Sequence, residues 1–152
     1  MFARVAAFAI AMAVLPPAYG ADGNRLDRIE RDGVLAVCHW TGYYSISYLR
    51  PQTGRLSGLD VSLAGALAAD LGVAALVVST SFSRFMDDLD QDRCDVAMFG
   101  VGVTPARAER VDFSDPYLRG DIYVATTANS PSLVDWSDVD QPGVVLAALK
   151  GT

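Results

Sequence analysis

Apolar and polar positions fall in blocks along this chain, and the blocks change period. Gly33-Val34-Leu35-Ala36-Val37-Cys38 is a short apolar run of the buried-strand kind. Asp60 to Leu71 sets Leu63, Ala64, Leu67, Ala68 and Leu71 on one helical stripe, with Asp60 as its cap and Gly72 as its stop. Ala74 to Ser79 predicts a second buried strand, Ser83 to Asp92 an acidic helix, and Asp95 to Gly100 a third strand. Tyr43 to Gly58 reads as a loop or hairpin, because Pro51 excludes a central strand. Pro105 to Arg110 predicts one helical turn with proline at its first position. Phe113 to Tyr117 reads as a turn, followed by a β-branched stretch, Ile122 to Thr127. Short buried strands separated by helices predict an α/β protein with a parallel sheet and right-handed crossovers.

The front of the chain has a different pattern. Met1 to Gly20 carries Arg4, then eleven unbroken apolar residues from Val5 to Leu15, then Pro16-Pro17 and the small residues Ala18 and Gly20. Positive start, apolar middle and small-residue end make residues 1–20 a signal peptide, cleaved after Gly20 or Ala21. Eleven apolar residues fall short of the roughly 20 that span a bilayer. The expected location is periplasmic or extracellular.

Composition narrows the function. Eighteen Asp and Glu against twelve Lys and Arg, a net charge of −6, argue against a nucleic-acid partner. One histidine and two cysteines are too few for a four-ligand zinc site, so no metal and no cofactor are expected. The hydrophobic content of 51% excludes disorder, while 13 glycines and 7 prolines without sustained heptads exclude a coiled coil. Export would put Cys38 and Cys94 where disulfides form. Strand geometry points the other way: Cys38 ends one strand and Cys94 precedes another. In parallel neighbours they would lie about four residues apart at ~3.3 Å rise, beyond the ~7 Å a disulfide allows between Cα atoms. Two buried thiols are the expectation. The acidic run Asp87, Asp88, Asp90 and Asp92 reads as a solvated helix face without the spacing of a calcium loop.

Open parallel sheets bind ligands beyond the carboxyl ends of their strands. Here those ends collect Trp40, Tyr43 and Tyr44 after the first strand, Phe82 after the second, and Phe99, Gly100, Gly102, Thr104 and Arg107 after the third. Aromatic rings, glycine backbone and one guanidinium suit an anionic small molecule with an apolar or planar part. No Ser-His-Asp set, phosphate loop or dinucleotide fingerprint stands in the sequence, and no catalytic residue is assigned. For each aromatic a packing role stands beside the binding role, and Arg107 has Glu109 within reach as an ion-pair partner.

The order of motifs resembles the family 3 extracellular solute-binding proteins. Leu26 to Ile29 with Gly33 to Val37, Gly58 to Val61, Asp95 to Arg107 and above all Val111-Asp112-Phe113-Ser114-Asp115-Pro116-Tyr117 carry the likeness. It implies a type II periplasmic-binding-protein fold, two lobes closing on an amino acid or related carboxylate for delivery to an ABC importer. Residues 24–127 would form lobe one, nearly complete. Residues 128–152 would be a linker and the start of a truncated lobe two, with Val144 to Leu149 as its first strand. A dehydratase of the cyclohexadienyl type, built on the same fold, is the alternative, notably at Asp140 to Val144; an extracellular sensor module is a third.

The resemblance assigns Tyr44 and Phe82 to stack on the ligand, Arg107 to its carboxylate, Gly100 and Gly102 to backbone contacts, and Asp60 to a structural place at a helix start. Thr104 joins the binding set; Trp40, Tyr43, Phe99 and Thr152 are further candidates. Phe99 and Gly102 stand where the family has smaller or hydroxyl residues, so Phe99 is expected to fill part of the pocket. One lobe without the second is expected to bind weakly, because tight pockets bury most of a ligand's surface.

Overall fold

Asn24 starts the first helix by accepting a hydrogen bond from the Leu26 backbone N–H, and Gly33 ends it in the left-handed conformation. This computed structural model describes residues 24–128 and 133–152; the expected signal peptide lies outside them. The elements run α1 (Arg25–Asp32), β1 (Val34–His39), β2 (Gly42–Tyr43), β3 (Ser47–Leu49), β4 (Leu56–Ser57), α2 (Leu59–Asp70), β5 (Ala74–Ser79), α3 (Phe85–Asp90), β6 (Val96–Ala97) and α4 (Pro105–Ala108), then a 3₁₀ turn at Trp136–Asp138. α1 carries no apolar stripe long enough to announce itself; its caps, Asn24 and Gly33, are the signal that sequence reasoning passed over.

The parallel sheet has the order β5-β1-β6, with Cys38 level with Val78 on one side and Ala97 on the other. A smaller antiparallel sheet, β2-β3-β4, forms from the segment read as loop or hairpin. Leu35 and Val37 share one face of β1 and pack with Ile29 of α1 and Ala64 and Ala68 of α2. A second cluster joins Phe82, Phe85 and Phe99.

Three expectations fail for identifiable reasons. Ala74 to Ser79 is a strand, but not a buried one: it is the sheet's edge, with Leu76 54% and Val77 50% exposed. An apolar run alone does not distinguish a central strand from an edge strand. Val144 to Leu149 forms no strand, and Val145 is 92% exposed; a ladder needs a partner, and none of the described strands lies beside it. Asp60 is not the cap of α2. Gly58 holds that place, and Asp60 sits in the first turn, fully buried.

The cysteines are also corrected. Cys38 and Cys94 form a disulfide, their Cα atoms 5.6 Å apart. An extended chain from Cys94 onward would have kept the two apart. Instead β6 begins only at Val96 and the chain bends at Asp95, whose N–H reaches the Ala36 carbonyl at 2.7 Å and whose carboxylate accepts from the Ala36 N–H at 2.8 Å. Arg25 holds the Cys94 carbonyl from the other side.

The acidic run is a solvated face at Asp87, Asp90 and Asp92, but not at Asp88. Asp88 is buried and bonded to Thr80 and Arg93. Asp87 and Asp90 both pair with Arg110, and Asp92 pairs with Arg25. Burial would raise the Asp88 carboxyl, but the hydrogen bonds from Thr80 and Arg93 and the nearby guanidiniums outweigh it and hold it below the usual carboxylate range.

Two predictions follow from these contacts. The disulfide spans 56 positions, so the chain-entropy argument assigns it about 4 kcal/mol; the double variant Cys38→Ala/Cys94→Ala should lose most of that in urea denaturation. His39, buried at the end of β1, has its imidazole lowered by desolvation, a pull that the Met98 backbone hydrogen bond and the Asp60 charge only partly offset. The unfolded chain therefore binds more protons, so this contribution is complete above about pH 6.5 and lost as pH falls below it. Thermal melts should show Tm dropping between about pH 6.5 and 5, and His39→Gln should flatten that drop.

Candidate ligand-binding site

The carboxyl edge of the parallel sheet is where the chemistry gathers. β1 delivers Trp40, β5 leads to Phe82, and β6 leads to the glycines and α4. A cavity of about 260 Å³ opens there, walled by Trp40, Tyr43 and Phe82, floored by Gly100 and Gly102, with Arg107 at one end. Leu149 and Thr152 also line it. The three rings touch one another: Trp40 meets Phe82 edge-on at 5.3 Å, and Tyr43 lies 6.3 and 6.4 Å from the two. They make one apolar wall rather than a cage around a cation.

Arg107 is held by local sequence. Thr104 caps α4 by accepting from the Arg107 N–H, and Pro105 fixes the first turn. The guanidinium lies 5.8 Å from the ring centres of both Phe82 and Phe85. Its Nη1 donates to the Gly102 carbonyl and its Nη2 to the Gly151 carbonyl, each at 2.7 Å. The residue is 9% exposed, and among the described residues no carboxylate pairs with it; Glu109 does not. Dipoles and ring faces only partly offset the desolvation of a cation, and an anion is the chemistry that would complete the offset.

Gly100 needs its missing side chain. At φ +71° a Cβ would meet the Tyr43 ring at 2.7 Å, so the ring lies directly on the glycine. The Gly100 N–H donates to Asp60 Oδ2 at 2.5 Å, while Tyr117 donates its hydroxyl to Asp60 Oδ1 at 2.8 Å. Burial and the Asp60 carboxylate push the Tyr117 phenol well up. Asp60 thus fixes the pocket floor from behind, a role its place at the helix start only hinted at.

The structure brings together Phe82, Gly100, Gly102, Arg107, Trp40, Tyr43 and Thr152. Tyr44 is elsewhere, 75% exposed in the turn after β2, its ring tilted against that of Tyr48 at 4.9 Å, while Tyr43 at the end of β2 lines the cavity. Phe99 lies behind the wall, fully buried and edge-on to Phe82 and Phe85, and does not fill the cavity. Thr104 acts through its cap. Leu149 had no signal beyond its place in an apolar run. Ser47 and His39 hydrogen-bond at 3.1 Å, but both are buried away from the cavity lining.

The family model described as bacterial extracellular solute-binding proteins, family 3, matches residues 35–147. The chain belongs to that family. It is 38% identical over 125 residues to cyclohexadienyl dehydratase of Pseudomonas aeruginosa, covering 82% of this chain and 46% of the relative. The chain thus spans about half the length of the curated relatives it matches. An ancestral amino acid-binding protein, a precursor of cyclohexadienyl dehydratase, superposes with a TM-score of 0.73 at 33% identity, over 80% of this chain and 53% of that one. The arginine-bound domain 1 of the T. maritima arginine-binding protein superposes with a TM-score of 0.58 at 32% identity, over 60% of this chain and 71% of that one. The α/β solute-binding fold expected from the motifs is the fold of this chain. Its relatives include binding proteins and an enzyme.

The Tyr43–Gly100 contact is testable. Gly100→Ala should destabilise the fold by about 1–3 kcal/mol through strain at positive φ and the displaced ring. The same change in a Tyr43→Ala background should cost measurably less, and equal costs in a denaturation cycle would separate the two residues.

Proposed function

We propose that this chain is part of an exported binding protein that captures an amino acid or related carboxylate and presents it to the membrane subunits of an ABC importer. Residues 24–127 serve as its first lobe, 128–152 as the linker and the opening of the second, and 1–20 as the export signal. One observation carries the reading: Arg107 is buried at the end of an aromatic-walled cavity with carbonyls, and no carboxylate, as its described partners. The Cys38–Cys94 disulfide supports an oxidising location, and no described helix is long and apolar enough to cross a membrane.

A dehydratase-like activity is the second reading, favoured by the 38% identity to the Pseudomonas enzyme. It needs a proton donor over the cavity, and among the lining residues the Tyr43 phenol is the candidate this chain offers. The first reading uses the Arg107 guanidinium at the cavity's end.

Weak binding by a single lobe is the expectation from buried area, while domain 1 of the T. maritima arginine-binding protein has an arginine-bound form. The test is a thermal-shift and calorimetric panel of amino acids and aromatic carboxylates on this chain. At least one carboxylate should raise Tm, and Arg107→Ala should weaken its binding by about 2–5 kcal/mol, roughly 30-fold or more. A ligand bound equally well by the variant would remove Arg107 from the site.

A further inference from the structure

We infer that Gly151 is a positioning residue for the carboxylate site, an assignment that rests on the binding reading above and extends it to the segment covering the cavity. Gly151 sits at φ +88°, and a Cβ there would lie 2.8 Å from the Phe82 carbonyl carbon, 2.8 Å from the Ser83 nitrogen and 2.9 Å from the Phe82 oxygen. All three are backbone atoms, which cannot swing aside as a side chain would. The bare Cα therefore lets the 149–152 turn rest directly on the Phe82–Ser83 peptide.

That seat has two consequences in the same place. It brings the Gly151 carbonyl to Arg107 Nη2 at 2.7 Å, opposite the Gly102 carbonyl on Nη1. It also sets Leu149 and Thr152 into the cavity wall. A guanidinium has five N–H donors; with one on each terminal nitrogen held by a carbonyl, three remain for a ligand. The two carbonyls hold the fork beside the Phe82 and Phe85 rings, each centroid 5.8 Å away, which restricts its rotamers. Pre-set geometry reduces the ordering cost of binding. Any side chain at 151 lifts the turn, frees one arm of the fork and opens the cavity on that side.

The experiment reads Arg107 itself and needs no ligand. The full chain, Gly151→Ala and Gly151→Ser are treated with the arginine reagent phenylglyoxal, and modification rates at Arg107 and at exposed Arg50 are followed by peptide mass spectrometry. Arg107 should react at least about threefold faster in both variants, with Arg50 unchanged and the thermal midpoint close to that of the parent, since Gly151 lies outside both core clusters. An unchanged Arg107 rate overturns the assignment. Equal acceleration at Arg50 and Arg107 also overturns it, because general loosening would then explain the effect. The two readings fail separately: absence of carboxylate binding in the panel leaves the modification result standing, whereas carboxylate binding with an unmoved Arg107 rate removes only Gly151.

Discussion

Every feature of the site depends on β1 being hydrogen-bonded on both sides. A strand paired in parallel by β5 and β6 must send its own chain and theirs out of the same edge. That constraint brings Trp40, Phe82 and Gly100 together although they are up to 60 positions apart. It also explains the composition of β1, where Leu35, Val37, Cys38 and His39 are all buried. A polar substitution in that strand would unsettle the cavity by moving three loops at once.

Behind the cavity a single carboxylate carries much of the positioning. Asp60 receives the Gly100 N–H with one oxygen and the Tyr117 hydroxyl with the other. The first bond holds the floor on which Tyr43 lies; the second fixes the segment that leaves the parallel sheet. Floor and exit are therefore joined through a buried group that lies outside the cavity lining. A buried carboxylate with both oxygens bonded is tolerable where a half-satisfied one would be costly.

The sequence was most legible where local pattern and tertiary role agree. β1, α2 and β5 are found within a residue or two of their apolar runs, and the proline turn at Arg107 keeps its place because Thr104 and Pro105 act locally. What was not legible depends on neighbours. Leu76 and Val77 look buried until β5 proves to be an edge. Cys94 looks too far from Cys38 until the chain bends at Asp95. Tyr43 and Tyr44 are adjacent and chemically alike, and only the pairing of β2 with β3 decides which ring reaches the cavity. Gly151 gave no chemical signal, because its contribution is the absence of atoms.

Both sulfurs of the disulfide belong to residues with no solvent exposure, and Arg25 and Arg28 hold the adjoining chain from outside. A reducing agent must therefore wait for the protein to open before it can attack. Oxidation is consequently a record of assembly: once β1 and the bend before β6 have met, the bond that joins them is hidden by the contact that made it. A molecule that reaches this state keeps it through later swings in the surrounding thiol balance, so its covalent state reports where it folded rather than where it is found.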